Sequence, residues 1–289
     1  MPVMSLDDLL SRVPFLKLGK PAPRVAVVRL EGVIGGGGPS FSSRLTLASV
    51  AGRLEAAFKR RGLSAVALAI NSPGGSPVQS AQITRRVRAL AAEHKLPVFA
   101  FAEDVAASGG YMLALAADEI FADAASIVGS IGVVSGGFGF PEAIARLGVE
   151  RRLYTTGPRK AMLDPFSPEK ADDVARLREI QTGIHTYFKD MVRERRGQKL
   201  KAPEDSLFTG DIWTGAEALG LGLIDGIGDL KTVMQERFGK DVKLHLVGER
   251  RGLLRRRLGL ASVGGEAGGW PDALIDSAER RLAWARFGL

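Results

Sequence analysis

Apolar residues recur in two alternating patterns along the first half of the chain. Runs with few polar breaks, Arg24 to Leu30, Ala65 to Ile70 and Val98 to Ala102, read as strands buried on both faces. Between them the spacing shifts to that of a helix. A stretch from about Leu45 to Arg61 sets Val50, Leu54, Ala57 and Phe58 on one side, and a second runs from about Ser80 to Glu93. Strands alternating with helices predict the α/β class, a mainly parallel sheet with right-handed crossovers.

Further along, a helix is expected to start near Ser108, and short apolar runs from Glu119 to Val134 predict a coil of brief strands. A strand at Arg151 to Thr155 would feed the turn TGPRK and leave Lys160 in a loop. A long helix from Pro168 to about Arg196 carries Val174, Leu177, Ile180, Ile184, Phe188 and Met191 on an apolar face suited to core or subunit contact. The stretch after Thr209 predicts a turn, a helix and a closing segment.

Composition narrows the chemistry. With 289 residues, 45% of them hydrophobic, the chain can bury a sizeable core. It has no cysteine, which excludes disulfides, thiolate metal sites and a thiol nucleophile. His94, His185 and His245 lack the short spacing of metal ligands, so no metal and no cofactor are expected. The net charge of +8 favours an anionic contact. Five arginines crowd Arg250 to Arg257, and from Pro271 an amphipathic helix is expected, with Leu274, Ile275, Ala278, Leu282 and Ala285 on one face. That helix fits packing on the body, with an anionic membrane surface as the alternative. The arginines lack interleaved aromatics, so no nucleic-acid partner is expected.

No stretch reaches the roughly 18 apolar residues of a spanning helix. Asp7 and Asp8 sit where a secretory signal would be basic and then apolar. The expectation is an unexported, cytoplasmic protein, in peripheral contact with the inner face of the membrane if its basic region binds lipid.

Two glycine-rich turns carry candidate chemistry. In NSPGGS, at the end of the second strand, Pro73 fixes a dihedral while Gly74 and Gly75 can turn bare N–H groups outward, an oxyanion hole in outline. In AASGGY, after the third strand, Ser108 precedes Gly109 and Gly110, which permit close approach of another backbone. Strand C-terminal ends share one crevice in open α/β sheets, so the two turns should face each other. Each alone is also an ordinary turn or helix start.

INSPGGS, DVAASGGYMLA, SIVGSIGV and TGPRKAMLDPFSPE occur in an order that resembles the signal peptide peptidase A family of serine peptidases, family S49. The resemblance implies Ser108 as nucleophile and Lys160 as general base. It also implies Ser130 as the hydroxyl that orients the lysine, and Gly74, Gly75 and Gly109 around the oxyanion and substrate backbone. It implies a Clp-protease and crotonase-like spiral of βα units, ring-shaped homo-oligomers and peptide substrates, with the dyad formed within or between subunits. The expected division is an N-terminal segment at 1–23, a peptidase domain at 24–247 and a basic, helical extension at 248–289. A lysine accepts the serine proton only while neutral, so the site must disfavour its charge. Three other readings compete: a Ser-His-Asp triad, for which no histidine follows the serine at a suitable place, a crotonase-like acyl-CoA enzyme, and a catalytically silent scaffold on membrane or RNA.

Overall fold

A computed structural model describes residues 21–35 and 45–248, together with Arg281, Trp284, Ala285 and Phe287. The N-terminal segment, the glycines from Gly36 to Gly38, the arginine run and most of the expected C-terminal helix lie outside the described residues.

The backbone of the fold is the expected βα alternation: β1 (Arg24–Glu31), α1 (Leu47–Phe58), β2 (Ala65–Ser72), α2 (Pro77–His94), β3 (Val98–Ala107) and α3 (Gly109–Ala114). β1, β2 and β3 pair in parallel in the middle of one sheet, and their residues are buried almost throughout. That is why they read as nearly unbroken apolar runs. The helices start where their caps dictate. The Thr46 side chain accepts from the Ser49 N–H at the head of α1, and Ser76 accepts from Gln79 ahead of Pro77 at the head of α2.

β3 is twice as long as its apolar run suggested, because it continues through Glu103 and Asp104 to Ala107. Its first half pairs with β4 (Glu119–Ala122) and its second half with β5 (Ile127–Gly129), so one strand serves two neighbours in turn. β6 (Ile212–Thr214) then pairs antiparallel with β5, β7 (Gly226–Ile227) joins β4, and β8 (Lys243–Leu246) closes the other edge beside β1.

Two expectations are corrected. Arg151 to Thr155 forms no strand: the edge of β5 is already taken by β6, and the segment is exposed throughout. The stretch read as a turn after Thr209 instead supplies β6. Between Ile131 and the long helix the chain forms an arm, which holds α4 (Pro141–Arg146) and rests on the first half of α5 (Ala171–Arg196). α6 (Glu204–Leu207), α7 (Gly215–Leu221) and α8 (Leu230–Phe238) follow.

The main core lies between the sheet and α1, α2, α3 and the last turns of α5. On the opposite face, Phe99, Phe101 and Phe121 pack with Val233 and Met234 of α8. Only the C-terminal half of the apolar face of α5 is buried, through Phe188 and Val192, whereas Ile180 stays exposed. Arg196, 3% exposed, pins that end. Its Nε and Nη2 donate to the Gly222 carbonyl at 2.9 and 2.7 Å, and Nη1 donates to Asp225 at 2.7 Å. Burial works to raise the Asp225 carboxyl, but hydrogen bonds from Arg196, Lys199 and the Ile120 N–H outweigh it and hold the group below its ordinary range.

Candidate active site

Ser108 is the residue at which β3 stops and α3 begins. It adopts φ 52° and ψ −120°, a conformation that costs a residue with a side chain about 1–3 kcal/mol unless its surroundings enforce it. They do. The Ser108 N–H donates to the Gly129 carbonyl at 2.7 Å, at the end of β5, and the Met112 N–H donates back to the Ser108 carbonyl at 3.1 Å. Ser130, at the end of the neighbouring strand, repeats the arrangement with φ 54°, its N–H donating to the Asp211 carbonyl at 2.7 Å. Two serines thus leave adjacent strand ends in similarly strained turns.

Gly74 and Gly75 sit directly opposite. A Cβ on Gly74 would lie 2.8 Å from the Gly109 nitrogen and 2.8 Å from the Ser108 Cβ, and one on Gly75 would overlap the Ile34 carbonyl. Both glycines have positive φ, 101° and 139°. No other residue fits here, since both the space and the dihedral exclude a side chain. A strap fixes the turn from outside: Ile34 N–H donates to the Gly74 carbonyl at 2.8 Å and Ser76 N–H to the Ile34 carbonyl at 2.7 Å. The Gly75 N–H takes no part in that strap.

The two glycine turns therefore face one crevice, as the strand order required. Ser108, Ser130, Gly74 and Gly75 line a cavity of 740 Å³ together with Val33, Pro73, Asp211 and Ile212. Gly109 and Ser108 also border a small apolar niche walled by Met112, Ile184 and Phe188. The β6 side of the cavity, Thr209 to Ile212, was missed by sequence reasoning, for no motif marks a three-residue antiparallel strand.

Lys160 is the site residue that this grouping leaves out. It lies in a turn, its N–H donating to the Gly157 carbonyl at 3.2 Å, and it is exposed and absent from the lining of the Ser108 cavity. The arm that carries it is organised by its own contacts. Arg151 pairs with Asp164 at 3.3 Å and lies over the Phe166 ring, which meets Phe140 at a tilt of 31°. Hydrogen bonds from Arg151 and Ser167 hold the Asp164 carboxyl below its ordinary range. Outward, the arm exposes Val134, Phe138 and Tyr154, the last 91% exposed.

His185, the histidine nearest this region in the fold, binds the Ile131 carbonyl at 3.1 Å through Nε2. Its hydrogen-bond partner is thus backbone rather than the Ser108 hydroxyl. Among the described residues, no group of three or more histidine, aspartate or glutamate side chains could hold a metal ion.

Comparison with known proteins adds to this geometry. The model of peptidase family S49 matches residues 91–244. A Brucella abortus protein named Na(+)/H(+) antiporter NhaA is 52% identical over 292 residues, covering 99% of this chain and 40% of that protein. Protease 4 of Haemophilus influenzae is 32% identical over 237 residues, 81% of this chain and 38% of its own length. The chain thus spans about two fifths of the length of either relative. Among the described residues no helix is long and apolar enough to cross a membrane. Among solved structures, a lysine-to-alanine mutant of the 1510-N membrane-bound stomatin-specific protease, in complex with a substrate peptide, aligns with a TM-score of 0.51 at 15% identity. It covers 89% of this chain and 98% of that one, and the likeness is one of fold.

Proposed function

This chain belongs to peptidase family S49, and on that premise we propose that it is a serine endopeptidase in which Ser108 is the nucleophile and Lys160 of a neighbouring copy is the general base. The observation that carries the reading is the locked geometry at Ser108, a strained serine at a strand end facing a turn that only glycines can form. Strain of this kind is retained where a reactive group must be presented.

The chemistry follows from the residues. Ser108 Oγ attacks a scissile carbonyl while its proton passes to a neutral lysine amine. The oxyanion that develops accepts from the N–H groups of Gly75 and Gly109, and collapse of the tetrahedral species expels the amine and leaves an acyl-enzyme. The lysine gives its proton to that departing amine, then takes one from the water that attacks the acyl group and returns it to Ser108 Oγ as the acid leaves. In this reading Ser130, which lines the same cavity as Ser108, orients the lysine through its hydroxyl. No cofactor enters.

Supply of Lys160 from a second copy is supported by its exposure and by the apolar surface around it. Val134, Phe138, Leu147 and Tyr154 form a face that water does not favour. Closing that face against the next copy in a ring would also desolvate the ammonium, which favours the neutral form that a base requires. Peptides, whether signal-peptide remnants or other short and unfolded chains, are the proposed substrates, and an anionic membrane surface is the proposed contact of the basic region.

The test is hydrolysis of short fluorogenic peptides and unfolded casein by wild type, Ser108→Ala and Lys160→Ala across alkaline pH. Loss of turnover in both folded variants, with a wild-type rate that climbs with pH, supports the dyad. Full activity in Lys160→Ala overturns it.

A further inference from the structure

Phe287 stands between two cavities. It lines the 740 Å³ cavity that contains Ser108 and also a second one of 750 Å³, bounded by Phe101, Asp104, Ser126, Ile127 and Asp229. Its ring is 8% exposed and packs on Val105 and Ala107, with Ile127 and Trp284 half-buried beside it. This cluster is separate from both main cores. The Phe287 N–H donates to the Trp284 carbonyl at 2.8 Å, so the two aromatic residues belong to one turn.

Position along β3 gives the cluster its meaning. Side chains alternate across a strand, and Ala106 points into the main core, so Val105 and Ala107 point to the opposite face. Ala107 immediately precedes Ser108. The floor of the Phe287 slot is therefore made by the last outward-facing residues of the nucleophile's own strand, together with Ile127 of β5. Through Phe287 the slot borders the cavity that contains Ser108. Nothing in the main core depends on Phe287 to fill it.

We infer that the slot floored by Val105, Ala107 and Ile127 is a side-chain subsite of the substrate groove, and that Phe287 occupies it in competition with substrate. The inference rests on the peptidase reading above. Its ligand is an extended peptide with a bulky aromatic side chain. The carboxylates of Asp104, Asp123 and Asp229 against Lys231 line the cavity beyond, so basic residues next to the aromatic one are favoured. In sequence the chain's own occupant has the same character, Arg281 and Arg286 falling within a few positions of Trp284 and Phe287.

The probe is a fluorescein-labelled peptide of sequence AERRLAWARFGL, residues 278–289. Its binding is followed by polarisation on full-length Ser108→Ala and on Ser108→Ala combined with Phe287→Ala. Removing the internal competitor should tighten binding about tenfold, the factor expected if the slot is open roughly a tenth of the time. A probe with alanine in place of its phenylalanine should lose that gain. Equal affinity for the two proteins, or equal affinity of the two probes for the Phe287→Ala protein, overturns the inference. Hydrolysis separates it from the peptidase reading. Wild-type cleavage with no effect of Phe287→Ala on KM rejects the subsite alone, whereas the binding difference without any cleavage keeps the subsite and rejects the peptidase.

Discussion

Ser108 and Lys160 stand on opposite kinds of structure. Around Ser108, β3, β5 and the Gly74–Gly75 turn meet through backbone hydrogen bonds and contacts too close for any added side chain, and a strained conformation is held in place. Around Lys160 the backbone belongs to an exposed arm, organised by an Arg151–Asp164 pair and a run of tilted phenylalanine contacts, with several apolar side chains turned to solvent. The first region is finished within one chain. The second is built as if to be finished by another. Under the proposed dyad, a site divided in this way would keep its nucleophile oriented and leave the base to assembly, so that reading predicts an inactive isolated copy.

The largest effects come from breaking either half outright. Ser108→Ala and Lys160→Ala should each lower kcat at least about a thousandfold without lowering Tm, as measured by peptide hydrolysis and calorimetry.

Next in size is the support of the finished half. Arg196→Met takes away the buried donors of the Gly222 carbonyl and one of the two cations on Asp225, which keeps Lys199 and the Ile120 N–H, at an expected cost of about 1–3 kcal/mol in urea unfolding. The same pair gives a pH dependence whose sign follows from the depressed Asp225 carboxyl. Its contribution is complete above the ordinary value of 3.8 and is lost as pH falls through the lower folded value. Between those two values the stability of wild type should therefore fall more steeply with falling pH than that of Asp225→Asn.

Gly75→Val, which drives a side chain into the Ile34 carbonyl, should cost about 1–3 kcal/mol and also abolish turnover by displacing the oxyanion donor. The smallest effect on folding belongs to the arm. Tyr154→Asp, at a residue 91% exposed, should leave Tm unchanged while shifting sedimentation toward monomer and reducing activity in step.

Much of the body was legible because its strands are buried on both faces and its helices follow the 3.6 period. The crevice between Gly74 and Ser108 was legible for the same reason, since parallel strand order puts both turns at one sheet end. What escaped depends on long-range pairing. β3 carries Glu103 and Asp104 through its middle, where Arg29 of β1, two strands away, and Asn71 of the adjacent β2 bind them, a partnership invisible in a local window. β6 is three residues long and exists through its antiparallel contact with β5. By taking that edge it leaves Arg151 to Thr155 without a partner. The Phe287 slot had no local signal either, because its floor and its occupant lie far apart in sequence.

The central claim, that one copy supplies the serine and the next the lysine, is tested by mixing Ser108→Ala with Lys160→Ala under conditions that let subunits exchange. Each variant alone should be silent. The mixture should recover roughly a quarter of wild-type peptide hydrolysis, since a random ring joins an intact serine to an intact lysine at about one interface in four. A mixture that exchanges subunits, as judged by sedimentation of differently labelled copies, yet stays silent would contradict the account.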